Sequence, residues 1–179
     1  MKRLALVGAL ALPMLVAACS DTPVAPQVKP QFATDAALAK VAKYKTGGPS
    51  SQARFASKTI DGSGGTLSLG GFSVLVPPGA VSTPTTFTIS LPDGPRAGYA
   101  LADFGPHGAQ FAVPVVLTLP FKGTSAEGDV TTHVLWNSGI DWIVMPSWVT
   151  TDGRLQTVTN HFSEYGTEET GRGITTAGG

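Results

Sequence analysis

Between Lys58 and Tyr165 apolar residues recur at every second position, and the stretches between them are rich in Gly, Pro, Asn and Asp. A period of two sends alternate side chains to opposite faces of a pleated strand, so the pattern predicts short β-strands. Thr85 to Leu91 carries it most plainly: Phe87, Ile89 and Leu91 fall on one face and Thr86, Thr88 and Ser90 on the other. That is an antiparallel strand with one buried face. The same reading places strands at Ala56 to Ile60, Gly65 to Leu69, Phe72 to Val76, Ala100 to Phe104, Val115 to Pro120, Val130 to Trp136, Trp142 to Met145 and Leu155 to Phe162. Asn137-Ser138-Gly139 supplies residues that tolerate a left-handed turn, which predicts a hairpin around it, and Asp152-Gly153 offers a similar turn before the last strand. No stretch of this region has helical spacing. About nine strands in roughly 108 residues fit an all-β antiparallel sandwich whose core is large enough to stand without disulfides.

The chain ahead of this block reads differently. Met1-Lys2-Arg3 is a short positive segment, and Leu4 to Val16 is an apolar run interrupted only by Gly8 and Pro13. It has the form of a secretory signal peptide over residues 1 to 18, and falls short of the roughly 20 apolar residues a membrane span needs. Val16-Ala17-Ala18-Cys19 resembles the bacterial lipobox. The resemblance implies cleavage before Cys19, a diacylglycerol on its thiol and a further acyl chain, such as palmitate, on the new amine. Together these make a firm anchor in the lipid bilayer. Ser20 stands where bacterial lipoproteins retained in the inner membrane carry Asp, which implies the outer membrane.

Residues 19 to 57 read as a tether. Pro23, Pro26 and Pro30 favour an extended backbone, and Gly47-Gly48-Pro49-Ser50-Ser51 breaks the chain again. Between them Asp35 to Lys45 predicts one short helix, capped at Thr34-Asp35, with an apolar face too small to stand alone. As a flexible coil, residues 20 to 57 would span about 35 Å. The last residues, 167 to 179, are rich in Gly and Thr and read as a disordered tail.

Charge and cysteine count narrow the function classes. Twelve Lys and Arg balance 12 Asp and Glu with no basic run, which leaves nothing to neutralise a nucleic-acid backbone. Losing residues 1 to 18 removes Lys2 and Arg3 and no acid, so 12 minus 2 leaves 10 bases against 12 acids in the mature chain. A slightly acidic protein is not held to anionic lipid by charge, and the acyl chains must do the anchoring. One cysteine closes no intramolecular disulfide and builds no cysteine-rich zinc site.

Four segments carry a family resemblance. Gly64-Gly65-Thr66-Leu67, Val76-Pro77-Pro78-Gly79-Ala80, the run from Phe104 to Phe111 through Gly105-Pro106-His107-Gly108, and Pro114-Val115-Val116-Leu117-Thr118-Leu119-Pro120 resemble the ZU-five domain, in order and in spacing. The resemblance covers residues 58 to 166. It implies a β-sandwich used mainly for protein–protein contact; the partner domains that follow this module in eukaryotic proteins are absent here, so their partners do not carry over.

His161-Phe162-Ser163 is the one motif with chemistry in it, and it resembles the self-cleavage site of some ZU-five domains. There the serine hydroxyl attacks the carbonyl just before it, and the ester formed by this N-to-O acyl shift is hydrolysed by water. On one extended strand His161 and Ser163 would share a face, with His161 as general base, Ser163 as nucleophile and the Phe162–Ser163 bond the one broken. The plainer reading leaves His161 and Ser163 wet at the end of a final strand with Phe162 packed inside. His107, His133 and His161 lack the close spacing of a metal site. Ser163, His107 and an acid such as Asp103 or Asp141 would imitate a hydrolase triad, but no Gly-x-Ser-x-Gly elbow accompanies them. Nothing resembles a phosphate-cradling glycine loop, and no small-molecule cofactor is expected. Trp136, Trp142 and Trp148 are either core residues or an aromatic patch for a glycan. The expectation is a non-catalytic interaction or structural lipoprotein at the cell envelope, with an envelope protein or a glycan as partner. Self-cleavage and glycan binding are the alternatives.

Overall fold

A computed structural model describes residues 35–49 and 52–169. The signal segment, Cys19 and the tail beyond 169 lie outside the described residues. The fold is all-β: two antiparallel sheets face each other and do not close into a barrel. In chain order the strands are β1 Phe55–Ile60, β2 Gly65–Leu69, β3 Phe72–Val76, β4 Thr85–Ser90, β5 Leu101–Gly105, β6 Gln110–Pro120, β7 Val134–Asn137, β8 Trp142–Met145, β9 Ser147–Val149, β10 Arg154–His161 and β11 Glu164–Thr167. The six-stranded sheet runs β1-β4-β5-β11-β7-β8 and the five-stranded sheet β2-β3-β6-β10-β9.

Where period two is clean, the strands fall where the pattern puts them; β2, β3 and β8 match residue for residue. The hairpin of β7 and β8 closes through Gly139 at φ 87°, with Asn137 opposite Trp142. Three differences have local causes. Val130 belongs to a turn and is exposed, because Asp129 accepts from both the Thr131 amide and its hydroxyl and folds the chain there. Ser147–Val149 is too short to show a period, yet it forms the edge strand β9 against β10. Finally, the stretch read as a strand ending at Phe162 stops one residue earlier, as β10 at His161, and the chain crosses to the other sheet, where Glu164–Thr167 forms β11, a strand the pattern does not predict.

The core between the sheets is built on aromatic rings. Phe162, buried at the crossover from β10 to β11, stands edge-on to Phe111 at 4.7 Å and to Phe87 at 5.6 Å, and lies 6.0 Å from Phe104. Such offset and edge-to-face pairs add to what their buried area contributes. Tyr165 reaches into the same cluster, edge-on to Phe104, and burial pushes its phenol pKa up to about 12.

Residues 35–49, read above as part of a tether, lie against the sandwich. Asp35–Lys40 is a 3-10 turn rather than an α-helix to residue 45. Leu38 and Val41, both almost fully buried, pack with Leu101, Leu135 and Trp142 on the outer face of the six-stranded sheet. The Ala42 amide donates to the Thr167 carbonyl and the Ala42 carbonyl accepts from Ala100, so this strap is hydrogen-bonded between the ends of β5 and β11. The small apolar face that cannot sustain an isolated helix is satisfied by tertiary contact. Thr167, read above as the start of the tail, is wholly buried, and the Glu169 amide donates to the Lys40 carbonyl. The two ends of the described chain therefore leave from the same side of the molecule.

Candidate functional site

The His161-Phe162-Ser163 segment is the link between the two sheets. Because the strands on either side belong to different sheets, two-residue periodicity does not carry across it, and the expected shared face of His161 and Ser163 is not formed. Ser163 Oγ donates to the Asn137 carbonyl on β7 at 2.9 Å, while the Ser163 carbonyl accepts from the Phe104 amide on β5. His161 Nδ1 lies 3.2 Å from Thr159 Oγ1, and its ring stands edge-on to Trp136 at 4.8 Å. Its Nε2 is buried without a hydrogen-bond partner among the described residues, and desolvation lowers the imidazole pKa below its usual 6.5. The imidazole is thus turned to Thr159 and the hydroxyl to Asn137, with Phe162 locked between them in the core.

Beside this link lies a buried polar row that the sequence does not announce. Ser90, Asp103, Glu164 and Asn137 follow one another across β4, β5, β11 and β7; Ser90 pairs with Asp103 and Asp103 with Glu164. Their neighbours Phe104 and Tyr165 point into the core, so alternation sends these four to the outer face. Residues 92–99 lie alongside, with Arg96 from the 3-10 turn Gly94–Gly98 reaching Glu164. Glu164 is fully buried: Arg96 Nη2 sits 3.2 Å from Oε1 and Asn137 Nδ2 donates to Oε2 at 2.8 Å. Asp103 is paired with His107 Nε2 at 2.8 Å; burial pushes its carboxyl pKa up and the imidazole pulls it back. Two carboxylates directly opposite on one face repel, and each is held by its own partner. Sequence reading misses Glu164 because an acid at a strand end looks like a solvated residue; the sole local signal is its place one residue before the buried Tyr165.

Of the other sequence-predicted groups, the structure unites Asp103 with His107 but directs the Ser163 hydroxyl toward β7, the side of β11 away from β5. Asp141 pairs with Lys40, and His133 with Glu168 at 2.9 Å. Among the described residues no three His, Cys, Asp or Glu side chains gather closely enough to hold a metal. The three tryptophans separate: Trp136 packs on His161, Trp142 is buried under the strap, and Trp148 stands half exposed on β9. A recess of about 280 Å³ beside Lys58, Asp61, Ser63 and Pro84 is polar, and its Asp61 carboxylate is already taken by the amide and hydroxyl of Ser63.

The outer face of the five-stranded sheet is unusual in another way. Leu75, Val116 and Val158 lie directly opposite one another across β3, β6 and β10, and Leu75 and Val158 are nearly half exposed. The next row across the sheet is Ser68, Ser73, Thr118, Gln156 and Trp148. Strand β10 here reverses the sandwich rule: Thr157 and Thr159 point inward and are buried, while Val158 points out. Neither row contains a charge.

No family model and no curated protein matches the chain.

Proposed function

We propose that this chain is a bacterial lipoprotein, anchored through acylated Cys19, whose ZU-five-like sandwich is a non-catalytic interaction or structural module at the cell envelope. The observation that carries the interaction reading is the apolar row Leu75, Val116 and Val158 on a sheet face that is polar in a sandwich with no partner. The engagement of Ser163 Oγ with Asn137 and of His161 Nδ1 with Thr159 supports a module without catalysis. The anchor rests on the residues Val16 to Cys19. Both described ends leave beside the six-stranded sheet, so an anchor at Cys19 would leave the five-stranded face available to a partner.

The test is the intact mass of the protein made with its own signal in a bacterial host and extracted in detergent, beside Ser163→Ala. The expected mass is that of Cys19 to Gly179 plus acyl chains, in both proteins. A wild-type chain that ends at Phe162 while the variant stays whole would replace this reading with a self-cleaving domain; a mass without acyl chains would remove the anchor.

A further inference from the structure

We propose that the outer face of the five-stranded sheet is a weak, reversible contact between two copies of this chain, related by a two-fold axis through the row Leu75, Val116 and Val158. The inference rests on the interaction-module reading and names its occupant. Three observations select a second copy.

The first is charge. The mature chain carries 10 bases against 12 acids, so two copies repel slightly over most of their surfaces. The rows through Val116 and Thr118 hold no ionic side chain; at their margins Arg154 is paired with Asp152 at 3.3 Å, and the Lys58 ammonium donates to the carbonyl of Thr66, the residue opposite Leu75. Within these two rows two copies meet without a like-charge penalty.

The second is self-complementarity. A two-fold contact needs a surface that matches itself, and a two-fold through Val116 lays the apolar row on its own copy. Exposed Leu75 and Val158 then lose water on both sides, while Ser73 and Gln156, whose amide already donates to the buried Thr118, lie beside them, where polar groups pair across the contact or with water.

The third is size. Five strands spaced about 4.8 Å apart, taken over five residues of about 3.4 Å each, give a face of roughly 400 Å². That is about half of the ~800 Å² a side found in stable complexes, so the contact belongs to the transient class. Confinement of both copies to one membrane surface raises their effective concentration and lets a weak contact form.

The test is cross-linking of the full-length protein in membranes of its bacterial host with a short bismaleimide. Cys19 is the one natural cysteine and is blocked where it is acylated, so thiols are introduced singly as Val158→Cys, Leu75→Cys and, in the exposed turn on the other sheet, Ser138→Cys. Dimer is expected from the first two and at least tenfold less from the third. Adding Gln156→Glu to Val158→Cys brings like charges together at the rim and is expected to lower the yield tenfold. Leu75→Asp in the same background serves as a second variant, and unchanged thermal unfolding of each shows that the fold survives. Equal yields from Ser138→Cys and Val158→Cys, yields indifferent to both added charges, or adducts with a different protein in place of the dimer would overturn the proposal. Dimer from the wild-type chain itself would report a free Cys19 and sink the anchor, leaving the interface to be judged on the Cys19→Ser background.

Discussion

Replacing Glu164 with Gln removes the charge of a carboxylate that is 0% exposed while keeping its shape. In the folded protein Oε1 faces the Arg96 guanidinium at 3.2 Å and Oε2 accepts from Asn137. A glutamine satisfies one of these and turns its NH₂ toward the other, setting donor against donor. Breaking one side of a buried ion pair costs about 3–5 kcal/mol. Two features pull the value down. Arg96 retains 16% exposure and can take up water, and loss of the Glu164 charge relieves its repulsion with Asp103 directly opposite, worth about 0.2–1 kcal/mol. The expected destabilisation of Glu164→Gln is therefore about 2–3 kcal/mol, or near 10 °C in melting temperature for a domain of this size. The assay is urea unfolding at pH 7 of wild type, Glu164→Gln, Arg96→Met and the double variant. The apolar Met spares the second change its unpaired cation, so the cycle should show a coupling above about 1.5 kcal/mol. A near-neutral Glu164→Gln with coupling under about 0.5 kcal/mol would refute the reasoning, since Arg96 would then not depend on a charge at that position.

Three further outcomes follow from burial. Leu38→Ala, at a site 2% exposed against Leu101, Leu135 and Trp142, should destabilise the whole domain by about 2–4 kcal/mol in a single cooperative transition; a loss under 0.5 kcal/mol would mean that the strap is not part of the folding unit. His161 has its pKa lowered by burial, so the unfolded chain binds its proton more readily than the folded one. Its contribution is complete above the unfolded value of 6.5 and is lost as pH falls below it. Between pH 7.5 and 5.5 the urea midpoint of wild type should fall, and that of His161→Leu should fall less. Asp103 works in the opposite sense, its raised folded pKa favouring the folded state as pH drops through that value; Asp103→Asn should therefore steepen the acid-side loss.

Much of the architecture is legible in the chain alone because it rests on local chemistry. Phe87, Ile89 and Phe72, Val74, Val76 repeat every second residue and face the core, a consequence of the pleat that no distant contact alters. Asn137-Ser138-Gly139 turns the chain wherever the flanking strands go. Val16 to Cys19 is likewise a local signal, and its reading as an anchor comes from those residues alone.

Tertiary structure decided what depends on pairing. That Glu164 is buried follows from β11 lying between β5 and β7, and this order is set by non-local hydrogen bonds that no short window contains. The strap 38–45 has too little apolar surface to predict its own order, and the outer face of the six-stranded sheet supplies the rest. His161 and Ser163 sit two residues apart, but a change of sheet between them sends one to Thr159 and the other to Asn137. The outward row of Leu75, Val116 and Val158 is assembled from three strands up to 83 residues apart in the chain, 158 minus 75. Periodicity says which residues share a face of one strand; only the register between strands says which of them become neighbours.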